Sequence, residues 1–332
     1  MTGGSTAVTA RQFAAVIIGR NEGERLRQCL ASVVGAAEIA VYVDSGSTDG
    51  SVGMARAMGV EVVTLDISTP FTAARARNAG FRRLRERAPE LRWVQFVDGD
   101  CEVVAGWLTK GAAFLDAHPD IAVVCGRRRE RHPERTVYNM LCDIEWDTPV
   151  GEARACGGDA LMRVAAVEAL NGYRPDLIAG EEPDLCIRMR KAGWRIWRLG
   201  EEMTLHDAAM TRFGQWWKRA LRSGHAFAQG SHLHGAPPER HYVDQSRRAW
   251  LWGLLLPLVI LLLALFNPAW MLLSLAYPLQ VLRLGLTGRL SPRQNWWRAF
   301  FLVLGRFPEA LGQLKYLRNR LAGKQSLLIE YK

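Results

Sequence analysis

The chain has 332 residues, 49% of them hydrophobic and 23% charged, enough for one large or two ordinary domains with a substantial core. Its net charge of +10 is unevenly placed: residues 211–332 carry 17 Lys/Arg against 4 Asp/Glu, and residues 1–210 carry 26 against 29. The basic half is also the most apolar, a pairing that points to an anionic membrane surface and away from nucleic acid.

The six cysteines (Cys29, Cys101, Cys125, Cys142, Cys156 and Cys186) form no CxxC pair and show no zinc-ligand spacing. They read as small buried residues in a reducing compartment. The N-terminus is polar, and its first apolar run, Phe13 to Ile18, is too short for a signal-peptide core.

Phe13 to Ile18 reads as a buried strand, followed by the polar turn Arg20, Asn21, Glu22 and a helix with Leu26, Cys29, Leu30 and Val33 on one face. Ile39 to Val43 is the next strand, ending at Asp44 in DSGSTDGS, a loop before a helix around Met54. Val60 to Leu65 is a third strand, Phe71 to Arg87 a basic helix, Val94 to Val97 a fourth strand and Ile121 to Cys125 a fifth. Strands alternating with helices predict a mostly parallel α/β sheet. Ligands of such sheets bind beyond the carboxyl ends of the strands, so the polar clusters at Arg20 to Glu22, Asp44 to Asp49 and Asp98 to Asp100 should gather on one edge. No GxGxxG follows the first strand and no GxxxxGKS/T occurs, which removes the usual support for dinucleotide and P-loop sites.

The stretch VQFVDGDCE ends a buried strand on Asp98, Gly99 and Asp100. Side chains two apart on a continuing strand share a face, so the two carboxylates can converge on one cation. Hard oxygen ligands suit Mg2+ or Mn2+ bridging to phosphates, which implies a nucleotide diphosphate. The other reading is a solvated Asp-Gly turn.

Glu181, Glu182 and Asp184 open a helix, where acids are also favoured by the helix dipole. A strand over Trp194 to Leu199 and a short acidic loop then lead to His206. Gln215, Trp216, Trp217 and Arg219 lack the QxxRW spacing of processive glycan synthases, so processivity is not supported.

Taken together, the opening strand with RNE, DSGSTDGS, ARNAGF (Ala76 to Phe81), VDGD, GGDALMR (Gly157 to Arg163) and AGEEPDLCIRMRKAGWRI resemble family 2 glycosyltransferases of the GT-A fold, from about Ala14 to Asp207. The resemblance implies a Rossmann-like, mostly parallel α/β catalytic domain that binds a nucleotide-diphosphate sugar, with UDP the commonest nucleotide. It implies that Asp44 contacts the base or ribose of the donor, with Arg20, Asn21, Glu22, Ser45, Gly46, Ser47, Asp49, Asn78, Asp98 and Gly99 around the nucleotide. Asp98, Asp100 and His206 would hold Mn2+ or Mg2+. A self-capped turn at Asp44, Ser47 and Asp49, a polar helix residue at Asn78 and a structural histidine at His206 are the alternatives. The family shows Glu-Asp where this chain has Glu181-Glu182 followed by Pro183, so the general base aligns with Glu182, with Glu181 and Asp184 as alternatives. Inversion at the anomeric carbon follows from the same resemblance.

From Ala249 to Leu282, 34 consecutive residues carry no charge. As one helix they would run about 50 Å, longer than a ~30 Å hydrocarbon core. Asn267 and Pro268 break the run near its middle, which predicts a hairpin that spans or dips into the bilayer. Arg247 and Arg248 before it, and Arg283, Arg289 and Arg293 after it, place both ends on the cytoplasmic side. Trp296, Trp297, Phe300, Phe301 and Leu302 read as interfacial, and Lys315 to Lys324 as a basic surface helix.

The expected organisation is a catalytic domain over residues 1–210, basic interfacial helices over 211–248, a hydrophobic hairpin over 249–286 and a basic amphipathic tail over 287–332. The expected activity is metal-dependent transfer to a lipid-linked or polysaccharide acceptor at the cytoplasmic membrane, with the catalytic domain facing the cytoplasm. A sugar nucleotidyltransferase, and a membrane-bound nucleotide sensor or scaffold without catalysis, are the competing readings.

Overall fold

A computed structural model describes residues 13–324 and 327–330. The polar N-terminal stretch before Phe13 and the extreme end of the basic tail lie outside the described residues. In chain order the elements are β1 (Phe13–Gly19), α1 (Glu24–Val33), β2 (Ala40–Asp44), α2 (Ser51–Ala57), β3 (Glu61–Thr64), α3 (Ala73–Arg87), β4 (Trp93–Asp98), β5 (Cys101–Val103), α4 (Trp107–Ala117) and β6 (Ile121–Glu130). They continue with α5 (Val137–Trp146), β7 (Gly151–Glu152), β8 (Ala160–Arg163), α6 (Val164–Ala169), α7 (Glu181–Lys191) and β9 (Arg195–His206). The last stretch holds α8 (Phe213–His234), α9 (Val243–Trp250), α10 (Leu256–Ala264), α11 (Ala276–Thr287), α12 (Pro292–Leu304) and α13 (Arg306–Leu321). The chain forms two compact units, one running to Arg131 and taking up again over Glu145–Ala208, the other comprising His132–Ile144 and everything from Ala209 on.

The first unit is built on a nine-stranded sheet in the order β3-β2-β1-β4-β8-β6-β9-β5, with β7 pairing β9. Strands β3, β2, β1 and β4 run parallel, β8 runs antiparallel to both β4 and β6, and β6 is parallel to β9. Strands β1 and β4 are apolar on both faces, as a sheet covered on both sides requires: Ala14 to Ile17, Trp93, Val94, Phe96 and Val97 are all buried. Leu26, Cys29, Leu30 and Val33 of α1 are buried, as their spacing predicts. Register places Gly19 beside Asp44 and Ile18 beside Asp98. The carboxyl ends of β1, β2 and β4 therefore finish level, at one edge.

The acidic loop expected before His206 is strand instead, because β9 runs without a break through Glu201 and Glu202. Its partner β6 follows it with register shifts, and Arg129 pairs with Glu202 at 2.9 Å. Cross-strand bonding and charge pairing hold polar residues in strand that would otherwise read as loop.

The second unit is helical apart from its connections. Two of its helical runs, Val243–Ala264 and Pro268–Thr287, are long and apolar enough to cross a membrane, and only 11% and 6% of their apolar windows are buried. A soluble core would bury most of those residues. The break between them falls at Asn267, whose side chain accepts from the Ala269 N–H at 2.9 Å, with Pro268 opening the next helix. Helices α8 and α13 pack so closely that a Cβ at Gly224 would lie 2.0 Å from the Glu309 carbonyl oxygen, so only glycine fits there.

One surface expectation changes in this unit. Trp296, Trp297 and Phe300 are exposed, but Phe301 turns inward against Trp216 and Tyr138, with ring centroids 4.7 and 5.5 Å apart. The aromatic run lies on a helix, whose period sends one of four neighbours to the opposite face. Gln215 caps its own helix, accepting from the Thr211 and Arg212 N–H groups at 2.9 and 3.0 Å.

Candidate active site

The three polar clusters meet at the sheet edge through backbone contacts that each strand end offers its neighbour. Gly99 N–H donates to the Ile18 carbonyl at 2.8 Å, and Ser45 N–H to that of Gly19 at 3.2 Å. The β1 turn is then stitched to the β2 loop: Asn21 N–H donates to Ser47 Oγ at 2.9 Å, Thr48 N–H to Asn21 Oδ1 at 2.7 Å, and Gly23 N–H to Asp49 Oδ2 at 3.0 Å. Glu22 pairs with Arg25 at 2.6 Å, one turn into the same segment.

Asp44 is buried and braces its own loop, with Oδ2 accepting from the Gly46 and Ser47 N–H groups, both at 3.0 Å, and Oδ1 from the Tyr42 hydroxyl at 3.0 Å. Beside it Ser45 Oγ is buried without a hydrogen-bond partner, a polar atom a ligand would satisfy. Asn78 exchanges both ends of its amide with the Tyr173 backbone, at 2.7 and 2.8 Å, and so ties α3 to the segment after α6.

Asp98 and Asp100, two apart, have different surroundings. Asp98 faces arginines: Arg77 at 2.7 Å on Oδ1 and Arg128 at 3.5 Å on Oδ2. Asp100 faces His206, whose Nε2 lies 3.0 Å from Oδ2. The topology explains the second meeting. β5 begins directly after Asp100 and pairs antiparallel with the end of β9, setting Cys101 opposite His206, while Asp207 N–H donates to the Asp100 carbonyl at 3.1 Å. Burial, with the charge of Arg128 adding to it, pushes the His206 imidazole down to about 4, so it is neutral at pH 7. Its ring packs 4.6 Å from Trp146, and Nδ1 is buried without a partner.

Behind these carboxylates runs a row of alternating charge, buried at Arg77, Glu181 and Asp159 and half-buried at Asp98 and Arg128. Arg77 bridges Asp98 and Glu181, donating to Glu181 Oε1 at 2.6 Å. Arg128 bridges toward Asp159, which sits fully buried just before β8, accepts from Thr204 Oγ1 at 2.8 Å and takes the Asp98 N–H at 3.0 Å. A Cβ at Gly158 would lie 2.8 Å from Asp98 Oδ2 and 3.1 Å from both arginines, so this glycine lets the β8 end close on the row. Arg77, Arg128 and Asp159 carry no role in the sequence reading. Arg77 and Asp159 lie inside the segments ARNAGF and GGDALMR, whereas Arg128 lies in an ordinary-looking RRR run.

The three acids at the start of α7 separate by partner. Glu181 is paired with Arg77, and Asp184 with Arg188 at 2.8 Å, an arginine that also holds the Leu170 and Gly172 carbonyls. Glu182 alone has no ion pair with Arg or Lys among the described residues. Its Oε1 accepts from the Cys156 N–H at 2.6 Å and the Cys186 thiol at 3.0 Å. Burial raises its carboxyl above the usual range, and the hydrogen bonds from Cys186 and Cys156 only partly counter it.

Asp100, Cys101 and His206 each offer one ligand atom within 4.8 Å of the others and could hold a divalent cation, the Asp100 oxygen being the donor that suits Mn2+ or Mg2+. Asp98, held between two guanidinium groups, supports the site from behind.

A mostly parallel sheet whose carboxyl edge gathers nucleotide-loop acids, a DGD turn and an acid-rich helix start is the architecture of GT-A enzymes that use nucleotide sugars. Residues 14–162 match the family described as Glycosyl transferase family 2. Over those residues the chain is similar to this family of glycosyltransferases. No curated protein matches the sequence. Among solved structures, the mannosyltransferase PcManGT from Pyrobaculum calidifontis, in complex with GDP-Man and Mn2+, is 16% identical over 93% of this chain and 88% of that one, with a TM-score of 0.60. S. aureus TarS 1-349 is 14% identical over 94% and 92% of the two chains, with a TM-score of 0.52. Glucosyl-3-phosphoglycerate synthase from Mycobacterium tuberculosis, in complex with phosphoglyceric acid, is 17% identical over 68% and 81%, with a TM-score of 0.50. At these identities the likeness establishes the fold.

Proposed function

We propose that this chain is a metal-dependent, inverting glycosyltransferase that moves a sugar from a nucleoside-diphosphate sugar to a lipid-linked or polysaccharide acceptor at the cytoplasmic face of a membrane. The observation that carries the reading is the difference among the three α7 acids. Only Glu182 is free of a cation, buried and raised in proton affinity, the properties wanted of a general base.

In this mechanism Asp44 and Ser45 receive the nucleoside, and the diphosphate lies toward Asp100 and His206. Mn2+ or Mg2+ held by Asp100 and His206 would neutralise the diphosphate as it becomes the leaving group. Arg77 pairs with both Glu181 and Asp98 and fixes them in place. Glu182 takes that proton as the acceptor oxygen bonds to the anomeric carbon on the face opposite the departing diphosphate, which inverts the configuration. The Mn2+ and GDP-Man in the PcManGT complex support a nucleotide-sugar donor and this choice of ion. UDP and GDP are the first nucleotides to test.

The membrane location is supported by the two exposed apolar helical runs and by the arginines that flank them, Arg247 and Arg248 before, Arg283 and Arg289 after. Such a surface brings the enzyme to an acceptor held in the bilayer.

Glu182→Gln tests the assignment. Turnover is expected to fall about 10²- to 10⁴-fold with donor affinity largely kept. Near-normal turnover in that variant, or an equal loss confined to Glu181→Gln, removes Glu182 from the role.

A further inference from the structure

The six cysteines are free and buried, and two of them come together at the catalytic acid although 30 residues separate them. Cys156 Sγ lies 3.6 Å from Cys186 Sγ, and Cys186 Sγ lies 3.0 Å from Glu182 Oε1. Two thiols and a carboxylate thus offer three ligand atoms, all within 4.8 Å of one another and all on buried residues. The geometry points to a second metal site here, selective for a thiophilic divalent cation such as Zn2+ or Cd2+, which on binding takes Glu182 as a ligand.

Bond lengths favour that occupant. With metal–sulfur bonds of ~2.3 Å, two thiolates on a tetrahedral ion stand roughly 3.8 Å apart, and the observed 3.6 Å is nearly that edge. The carboxylate has only to swing outward by about half an ångström for its own ~2.0 Å bond. Its helix supports this placement, because Glu182 and Cys186 are four apart on α7 and share one face, while Cys156 comes from the loop that leads into β8. Soft sulfur ligands select zinc-like ions over Mn2+ and Mg2+, and this cluster offers two thiols where the Asp100–His206 cluster offers one. Binding releases the two thiol protons to solvent and leaves two thiolates and one carboxylate on a dication. Arg198, buried and opposite Cys125 in the β6–β9 ladder, provides positive charge in the same neighbourhood.

Resting on the reading of Glu182 as general base, occupation of this site stops transfer even with Mn2+ in excess, because the base no longer meets the acceptor hydroxyl. The binding itself does not depend on that reading.

The test uses the full-length protein in detergent with a non-thiol reductant and titrates it with Cd2+ alone. One equivalent per chain is expected to produce thiolate-to-cadmium charge-transfer absorption in the ultraviolet. The absorption should be lost in Cys156→Ser/Cys186→Ser and retained in Cys101→Ser, which removes the thiol beside Asp100 and His206. Far-UV circular dichroism establishes that the double variant is folded. If it is not, each single serine variant must weaken Cd2+ binding at least about tenfold. Absorption that survives the paired substitution, that disappears with Cys101→Ser, or that never reaches one equivalent overturns the site. A transfer assay separates the two claims: Zn2+ should inhibit the wild type at saturating Mn2+ and spare the residual activity of the double cysteine variant. Full Cd2+ binding with undiminished transfer in the Cd2+-loaded enzyme would keep the site and remove Glu182 as base.

Discussion

The two units of this chain bury opposite things. In the first, five charged side chains, Glu181, Arg77, Asp98, Arg128 and Asp159, line up behind the sheet edge, and apolar residues fill both sheet faces. In the second, leucines and Trp270 stand exposed along two helical runs, Leu261 and Leu272 at 58% and 67%. Charge is expensive to bury, and the first unit meets that cost by giving each carboxylate a guanidinium, and Asp159 further hydrogen bonds from Thr204 and the Asp98 N–H. Apolar surface is expensive to leave in water, and the second unit meets that cost only if a bilayer or another apolar phase is its solvent. The proposed chemistry lies in the first unit, and the proposed membrane contact in the second.

The largest expected effect comes from breaking the charged row. Arg77→Met leaves Asp98 and Glu181 without their shared cation, and it should destabilise the protein by about 3–5 kcal/mol, read as a lowered urea midpoint with unchanged slope. A loss below about 1 kcal/mol would mean that water already solvates the row. The apolar unit is tested by Leu261→Arg/Leu262→Arg, two residues 58% and 51% exposed. Each arginine should weaken bilayer association by about 2.5–3.5 kcal/mol if placed deep in the membrane, and the protein should shift from the floating to the soluble fraction in a liposome flotation assay. Undiminished flotation would move the contact to another surface.

A smaller effect tests one buried histidine in each unit. Burial is the first cause of lowering in both His206 and His225, and both are brought down to about 4 from 6.5. The unfolded chain then binds more protons between these values, so the stability contributed by the neutral rings is complete above pH 6.5 and is lost as pH falls toward 4. Unfolding free energies from denaturant titrations at pH 7 and pH 5 should differ by on the order of 1–3 kcal/mol, and no difference would place both rings in contact with solvent. Smallest of all, Arg174→Ala removes the exposed pair with Asp176, and it should change stability by less than about 1 kcal/mol. Comparing it with Arg77→Met separates burial from mere ion pairing.

Much of the first unit was legible because it obeys local rules. The strands at Phe13, Ala40 and Trp93 are continuous apolar runs ending in polar turns, and such runs show their boundaries without knowledge of their neighbours. The meeting of the Asp44 and Asp98 clusters followed from strand direction alone. What did not show is non-local. β5 is three residues long, and it exists because β9 passes beside it. The strand character of Glu201 and Glu202 depends on β6, roughly seventy residues earlier. Arg77 reaches Glu181 across 104 residues, and Cys156 reaches Cys186 across 30. No spacing rule covers either pair. The helical hairpin was legible from hydropathy and its Asn-Pro break, but the inward turn of Phe301 required its partner Trp216 to be known.

The most direct measurement is thermal stability of the detergent-purified protein with UDP and GDP, each with and without Mn2+, alongside Asp100→Asn. A nucleotide at about 100 times its dissociation constant should add ~2.7 kcal/mol of stability. One nucleotide stabilising the wild type only with Mn2+, and failing to do so in Asp100→Asn, is the predicted result. Stabilisation that is independent of Mn2+, or that persists in Asp100→Asn, would contradict the assignment of the ion to Asp100 and His206. Failure of both nucleotides in every condition would contradict the donor site itself.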